Sequence, residues 1–274
     1  METAPSTEEL EIDLLLEAVF QRYGYDFRAF DRAAIRHKLL ALMSEKGLAT
    51  VSLLQDRVLH ENGVASDLLR ALGVGRAALF DDPEQARQTR IVLGACLRAS
   101  AVPKVWLAEC AGPEEAWSLA ILLAEEQLHN RTEIFATVAN EELLAEVQGA
   151  GIDMERMPQY QESYLKSGGT GDLADYFEIK GGRAVLKSAL RNRITWAQYN
   201  MVTDASFNEF QLIVCRRALA DFGPALRNKT LNLFHDSLSL FGMLGLDRQL
   251  QDSDPLFTRY VAVFANLPWY KRVA

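Results

Sequence analysis

The chain has 274 residues, a formal net charge of -8 at pH 7, and 49% hydrophobic residues. This length predicts two domains with a sizeable core, and the acidic balance argues against a nucleic-acid partner. No apolar run is long enough to span a membrane and the first ten residues are acidic, so we expect a cytoplasmic protein without membrane insertion. Three cysteines in apolar surroundings predict reduced thiols, and four scattered histidines predict no metal site.

The first part of the chain has the pattern of several short helices. Ser6 and Glu9 form a capping-box pattern that predicts the start of a helix, which ends at Gly24. A second helix is expected from Asp31 to Lys46, followed by two amphipathic segments at 52–62 and 66–72. No strand pattern interrupts them. Residues 1–85 are therefore predicted to form a helical domain.

One face of the second predicted helix is basic, although the protein is acidic. It carries Arg32, Arg36, His37 and Lys38. Such a patch is either a solvated surface or a docking face for an acidic partner helix. Both interpretations stay open at this stage.

Beyond residue 86 the pattern alternates between strands and helices. Residues 105–108 form a short apolar run typical of a buried parallel strand, and the chain then turns at Gly112 and Pro113 into a helix. This is the pattern of the nucleotide-binding corner of a doubly wound sheet, but also of any βα unit. Further strands are expected near 133–139, 194–199, 210–215 and 241–246. The alternation predicts an α/β domain over 86–274 with a mostly parallel sheet.

Two segments depart from this alternation. Residues 154–190 contain paired glycines separated by tyrosines, which predicts a small antiparallel β insertion. Residues 254–273 have the pattern of an edge hairpin. Its apolar side chains are expected to pack inward: Phe257, Val261, Val263, Phe264 and Trp269.

Six stretches, in order along nearly the whole chain, carry a family resemblance. They are YGYDFR at 23–28, WLAECAGPEEAWSLAILL at 106–123, NMVTD at 200–204, SFNEF at 206–210, LIVCR at 212–216 and LFHDSL at 233–238. Together they resemble the CheR family, whose members use S-adenosylmethionine (SAM) to methylate glutamates of chemotaxis receptors. The resemblance implies a receptor-facing N-terminal helical domain and a SAM-methyltransferase-like doubly wound sheet with a small antiparallel β insertion. It also implies a chemoreceptor or other signalling protein as the partner, which the insertion would meet by strand addition.

The departures from the family pattern fall on the positions that the resemblance assigns to the cofactor and to the reaction. Glu109 and Pro113 replace two glycines of a turn that lies against the methionine part of SAM. Val138 replaces an aspartate that accepts hydrogen bonds from the ribose hydroxyls. The remaining family positions that differ are occupied by Ala77 (threonine), Asp81 (arginine), Arg217 (asparagine) and Asp221 (tyrosine).

These departures favour a pseudoenzyme, a protein with impaired SAM binding and a regulatory or interaction role. The alternative is an active glutamate methyltransferase with an altered site, in which the remaining contacts to SAM are Gly112, Glu114, Glu115, Asn200 and Met201. A third hypothesis gives the cleft another ligand, with Arg76 and Arg217 binding a phosphate or carboxylate. Against that hypothesis, both arginines are expected to form surface ion pairs with Asp81, Asp82 or Asp221.

Overall fold

A computed structural model describes residues 6–274; residues 1–5, part of the acidic N-terminal segment, lie outside the described residues. The chain forms two compact units. The first comprises residues 6–75 and Arg217–Thr230, and the second comprises Arg76–Arg216 and Leu231–Ala274. Within residues 6–274, no helix is both long enough and apolar enough to cross a bilayer.

The unit boundaries differ from the predicted division at residue 85. Leu79 and Phe80 are 0% and 2% exposed in the hydrophobic core of the second unit, so residues 76–85 belong with the sheet. Residues 217–230 belong to the first unit because Phe222 packs against Phe30, with ring centroids 5.0 Å apart. The backbone N–H of Gly223 also donates to the carbonyl of Ala29 at 3.0 Å. Such contacts join segments nearly two hundred residues apart, and local sequence patterns do not report them.

The first unit is helical, as predicted. Its helices are α1 (Thr7–Tyr23), α2 (Arg32–Glu45), α3 (Val51–His60) and α4 (Val64–Leu72). The capping box is present: Ser6 accepts a hydrogen bond from the Glu9 backbone, and the Glu9 carboxylate accepts one from the Ser6 backbone at 2.7 Å. At α2 and α3 only the cap residue takes part: the side chains of Asp31 and Thr50 accept hydrogen bonds from the backbone N–H groups three residues later. Apolar side chains at helical spacing, including Leu15 and Leu39, form the core of this unit.

The remaining elements build the α/β part of the chain. The helices are α5 (Pro83–Leu97), α6 (Glu114–Glu125), α7 (Glu141–Gln148), α8 (Met157–Lys166), α9 (Ser188–Arg191) and α10 (Pro224–Ser237), whose first half belongs to the first unit. The first five strands are β1 (Lys104–Leu107), β2 (Glu133–Val138), β3 (Ile152–Asp153), β4 (Phe177–Lys180) and β5 (Arg183–Leu186). The last five are β6 (Ile194–Gln198), β7 (Phe210–Cys215), β8 (Leu238–Leu246), β9 (Tyr260–Phe264) and β10 (Leu267–Arg272).

Seven strands form the main sheet in the order β6-β2-β1-β7-β8-β10-β9. The first five are parallel to their neighbours, and β10 and β9 form an antiparallel hairpin at one edge. Val105 and Trp106 of β1 are fully buried between β2 and β7. The predicted fold class, a methyltransferase-like α/β fold with a mostly parallel sheet, is confirmed.

The insertion is a mixed structure and not only a hairpin. Strands β3, β5 and β4 form a small antiparallel sheet, and Gly181 and Gly182 make the β4–β5 turn with positive φ at both residues. Helix α8 was not predicted. Met157, Tyr160 and Tyr164 have helical spacing, and all three are buried on the inner face of this helix. The prediction made from the paired glycines therefore missed a helix, because the first pair, Gly168 and Gly169, follows α8.

The C-terminal hairpin forms where expected, but its packing was only partly predicted. Trp269 on β10 is 1% exposed and belongs to the core. The prediction that Phe257, Val261 and Val263 pack inward was wrong, because they are 44%, 55% and 36% exposed. The reason is that β9 is the last strand of the sheet, so the sheet covers it on one side only.

Candidate cofactor cleft

The carboxyl ends of β1, β2 and β6 meet at one edge of the sheet. The Cys110 N–H donates to the Thr137 carbonyl at 2.7 Å, and the Tyr199 N–H donates to the Val138 carbonyl at 3.0 Å. These bonds place Glu109, Val138 and the segment starting at Asn200 along the same edge. In an open α/β sheet, ligands bind at this edge, where strand order reverses.

Glu109 has the backbone conformation of a glycine. Its φ is +57°, in the left-handed region that L residues rarely adopt. The turn therefore keeps a conformation suited to glycine, and a glutamate side chain occupies it. Burial raises the pKa of its carboxyl group to about 7.

A second carboxylate lies near the same turn. Burial raises the pKa of the Cys110 thiol well above its usual range, and Glu115 and Glu109 raise it further. Both carboxylates therefore lie close enough to Cys110 to influence its charge. Two acidic side chains at this turn oppose the binding of another carboxylate there.

The next two strands offer few free acceptors to a ligand. Val138 is 0% exposed at the end of β2, and its side chain has no hydrogen-bonding atom. The side-chain oxygen of Asn200 accepts a hydrogen bond from the Val202 backbone at 2.8 Å, so it stabilises its own loop. Met201 is 2% exposed.

The end of the turn is covered by a pair of charged side chains. A Cβ atom at Gly112 would contact the Glu114 carboxylate and would lie 3.2 Å from Nε of Arg76. Nη2 of Arg76 is 3.9 Å from Oε1 of Glu114. The ion pair predicted for Arg76 was with Asp81, Asp82 or Asp221, and Glu114 holds that place instead. Asp82 caps α5 by accepting a hydrogen bond from the Gln85 backbone at 3.0 Å.

The segment before α5 holds the altered linker positions. The Asp81 carboxylate accepts a hydrogen bond from the Ala78 backbone at 3.4 Å and is exposed. Phe80 has a φ of +51° and is 2% exposed, and its N–H donates to Oγ of Ser118 at 3.1 Å. This hydrogen bond joins the backbone of the segment before α5 to α6, close to Ala77 and Asp81, where the resemblance places two cofactor contacts.

A polar pocket of about 200 Å³ adjoins this segment. It is lined by Arg76, Ala77, Ala78, Glu114, Gly151, Ile152, Arg156, Tyr160 and Arg183. Of these residues, only Arg76, Ala77 and Glu114 are site residues that the sequence predicts. Arg156 and Tyr160 are four residues apart on the unpredicted α8 segment, and this spacing was the available signal.

Two of the remaining predicted site residues belong to the first unit. Asp221 accepts a hydrogen bond from Nζ of Lys38 at 2.6 Å, and the same ammonium group donates to the carbonyls of Leu72 and Gly73. Arg217 is half-buried. Lys38 is therefore a cation that holds the first unit together, and it does not belong to a free basic face.

The other members of the basic face are exposed, but two are already paired. Arg32 pairs with Asp13, and Arg36 pairs with Glu8. His37 is exposed. The face is therefore less positive than its sequence indicates, because α1 supplies acids opposite two of its arginines.

The three cysteines form no disulfide bond, and Cys110 and Cys215 are buried while Cys96 is half-buried. Burial raises the pKa of Cys96 to about 12. Residues 6–274 contain no cluster of histidine, cysteine and acidic side chains that could hold a metal ion.

Comparisons with known proteins identify the family to which this chain belongs. The family described as "CheR methyltransferase, SAM binding domain" matches residues 84–256. The chain belongs to the CheR family. "Putative methyltransferase Cher3" of Pseudomonas putida is 38% identical over 244 residues, covering 89% of each chain. "Chemotaxis protein methyltransferase 1" of Pseudomonas aeruginosa is 24% identical and covers 77% of this chain and 79% of its own.

SAM is the cofactor of this CheR family domain. Among solved structures, the glycopeptide N-methyltransferase MtfA with S-adenosyl-L-homocysteine (SAH) matches with a TM-score of 0.38 and 15% identity. That match covers 78% of this chain and 71% of MtfA. A likeness this distant carries no information about the ligand of this chain.

Proposed function

We propose that this CheR-family protein has weakened SAM binding and acts as a regulatory or interaction pseudoenzyme. The observation that carries the proposal is Val138, a fully buried apolar side chain at the strand end where the resemblance places a ribose-binding aspartate. Each lost hydrogen bond to a buried group costs about 1–3 kcal/mol. The loss of three such hydrogen bonds raises the Kd for SAM by several orders of magnitude, since ~1.4 kcal/mol corresponds to a tenfold change in Kd.

Glu109 supports the same proposal from the other end of the cofactor. It places a carboxyl group where the resemblance puts a glycine against the methionine part of SAM, and Glu115 lies near the same turn. Ala77 and Asp81 add no cation to pair with the SAM carboxylate. Methyl transfer needs the sulfonium and the acceptor held in near-attack geometry, which a loosely bound cofactor does not provide.

One observation favours the alternative, an active methyltransferase of chemoreceptor glutamates. The backbone at Glu109 keeps the left-handed turn, and a pKa of about 7 lets its carboxyl be neutral at slightly acidic pH. In that state the repulsion of the cofactor's carboxylate is smaller. The alternative therefore predicts SAM binding that strengthens as the pH falls below 7.

Titration calorimetry of the full chain with SAM and with SAH separates the two functions. We expect no binding of either compound at micromolar concentrations, at pH 6 or at pH 8. A micromolar Kd for either compound contradicts the pseudoenzyme proposal. A Kd that falls from pH 8 to pH 6 is the pH dependence of SAM binding that the active alternative predicts.

The interaction role is assigned to the first unit, with a chemoreceptor or another signalling protein as the partner. The exposed basic side chains on α2 are Arg32, Arg36 and His37, and cationic side chains steer association with acidic helices. Lys38 is excluded from this surface, because its ammonium group binds two carbonyls and Asp221.

Charge reversal on α2 tests this role. The double variant Arg36→Glu, His37→Glu is expected to lower capture of a chemoreceptor cytoplasmic fragment by about tenfold, because like charges then oppose the encounter. Arg57→Glu on α3 is the matched control, and we expect it to retain binding. Equal capture by the wild type and the double variant would show that this face of α2 is a solvated surface without a role in partner binding.

A further inference from the structure

Strand β9 ends the main sheet and has one unpaired side. It pairs with β10, and no other strand pairs with it among residues 6–274. The Val273 N–H donates to the Arg259 carbonyl at 3.0 Å, and hydrogen-bonded residues alternate along an antiparallel pair. The N–H and C=O groups of Tyr260 and Ala262 therefore face away from β10. They form a short row of backbone donors and acceptors at the free edge of the sheet.

Exposed apolar side chains lie beside this edge. Val261 and Val263 are 55% and 36% exposed, and they project from the same face of β9 because they are two residues apart in a strand. Lys271 pairs with Val261 across the hairpin, and its ammonium group lies 5.2 Å from the centre of the Phe241 ring. Phe241 is 59% exposed. An extended chain added at the free edge would cover part of this apolar surface.

The hairpin is basic, although the chain as a whole is acidic. Residues 255–274 contain Arg259, Lys271 and Arg272 and neither aspartate nor glutamate, while the whole chain has a net charge of -8. Arg259 and Lys271 are exposed, and neither has an ion pair within the part of the chain that the structure describes. Complementary charge steers association, so the free edge favours an acidic partner.

The charge close to the edge is also positive on balance. Burial raises the pKa of the Tyr260 hydroxyl, and among nearby charges Arg272 and Arg259 act on it more strongly than Asp236 does. Pairing of β9 with β9 of a second copy would bring two basic hairpins together, and like charges oppose such an association. An acidic strand meets opposite charge at the same edge.

We propose that the free edge of β9 binds an extended acidic segment of a partner protein by strand addition. The backbone of that segment hydrogen-bonds to Tyr260 and Ala262. Its apolar side chains cover the exposed valines of β9, and its carboxylates pair with Arg259 and Lys271. This surface lies on the main sheet and shares no strand with the small sheet of the insertion. The proposal depends neither on SAM binding nor on the basic face of α2.

Titration calorimetry on the full chain with capped pentapeptides tests the chemistry of the partner. The probe is EVEVE, and KVKVK keeps the strand pattern with the opposite charge. We expect EVEVE to bind with a submillimolar Kd and KVKVK to bind at least about tenfold more weakly, because cations flank the edge. EVEVE that is N-methylated at its three central residues lacks the backbone donors and should bind as weakly as KVKVK. No binding of EVEVE at millimolar concentration, or equal binding of all three peptides, overturns the proposal.

Variants of β9 and β10 assign the binding to this edge. Ala262→Pro removes an N–H that faces solvent and no hydrogen bond to β10, so the fold should persist while EVEVE binding is lost. Ala262→Thr keeps that N–H and is the matched control, which we expect to bind EVEVE like the wild type. Urea unfolding followed by tryptophan fluorescence checks the fold, since Trp269 lies on the neighbouring β10. Unchanged binding of EVEVE by Ala262→Pro would place the peptide elsewhere and contradict the proposal.

A charge variant provides a test that does not involve proline. Lys271→Glu at the exposed end of β10 should reduce the preference for EVEVE over KVKVK by at least about fivefold, because it replaces an attractive charge by a repulsive one. If Ala262→Pro lowers the unfolding midpoint, this variant decides, and an unchanged preference rules the edge out as the peptide site.

Sedimentation of the free chain distinguishes a partner protein from a second copy. We expect the wild type to be a monomer in the absence of peptide. A dimer that Ala262→Pro dissociates would show that β9 pairs with β9 of another copy, and would overturn the proposal of an acidic partner.

Discussion

The quadruple variant Ala77→Thr, Asp81→Arg, Glu109→Gly, Val138→Asp is expected to bind SAM at least about 100-fold more tightly than the wild type. Val138→Asp supplies a carboxylate at the end of β2 that can accept both ribose hydroxyls. Glu109→Gly removes a side chain with its carboxyl from the turn and suits the left-handed backbone already present there. Asp81→Arg with Ala77→Thr rebuilds a cationic contact for the SAM carboxylate.

The gains should be strongly non-additive, because all four positions address one ligand. Val138 is fully buried, so Val138→Asp alone buries a carboxylate without a partner and should destabilise the free protein. SAM should then raise the unfolding midpoint of the quadruple variant in a concentration-dependent manner, as ligand linkage requires. We expect little gain from any single change.

Titration calorimetry across the single, double and quadruple variants measures this series. The matched control replaces Val138→Asp by Val138→Asn, which is similar in size but has only one acceptor oxygen and no charge. It should recover less affinity than the aspartate. If the wild type already binds SAM as tightly as the quadruple variant, the departures are harmless and the active alternative is correct.

A second large effect concerns the pH dependence of stability, through Glu109. Its pKa rises from an ordinary value of 4.5 to about 7 in the folded chain. Between these values the folded state binds more protons than the unfolded state, so the free energy of unfolding falls as the pH rises. Below pH 4.5 both states are protonated, and above pH 7 both are ionised, so the effect is confined to this interval.

Glu109→Gln removes this titration. The wild type should therefore lose stability relative to Glu109→Gln between pH 4.5 and pH 7, by up to roughly 3 kcal/mol. All four tryptophans (Trp106, Trp117, Trp196 and Trp269) lie in the second unit with Glu109, so tryptophan fluorescence in urea reports on that unit.

The exposed Glu45 of α2 provides the matched control. Glu45→Gln lies in the first unit and should leave the fluorescence-detected transition unchanged across the same pH interval. A constant difference between the wild type and Glu109→Gln from pH 4.5 to pH 7 would show that the Glu109 carboxyl titrates normally.

Local patterns in the sequence determined much of the fold. The capping box at Ser6, the apolar run at 105–108 and the glycine pair at 181–182 each act through neighbours a few residues away. Helix periodicity and strand alternation are local in the same sense, so they predicted both the helical first unit and the parallel sheet. The grouping of Glu109, Val138 and Asn200 also followed, because parallel strands end at one edge of a sheet.

Only the tertiary structure decided which charged side chains are already paired. The α2 face looked free in sequence, but Glu8 and Asp13 on α1 pair with two of its arginines, and Lys38 binds Asp221 from a segment far along the chain. Ion pairs depend on distances through space. The same residue types at the same sequence spacing are therefore compatible with paired and with unpaired side chains.

The polar pocket shows the same limit most clearly. Glu114 begins α6, Arg156 and Tyr160 flank the start of α8, and Arg183 begins β5, so no short motif contains them. Their convergence requires the insertion to fold beside the first residues of α6. The sequence alone determined the family and the altered cofactor positions. Only the tertiary structure showed that Oε2 of Glu114 and the hydroxyl of Tyr160 are buried without a hydrogen-bond partner among residues 6–274, because burial depends on how the elements pack.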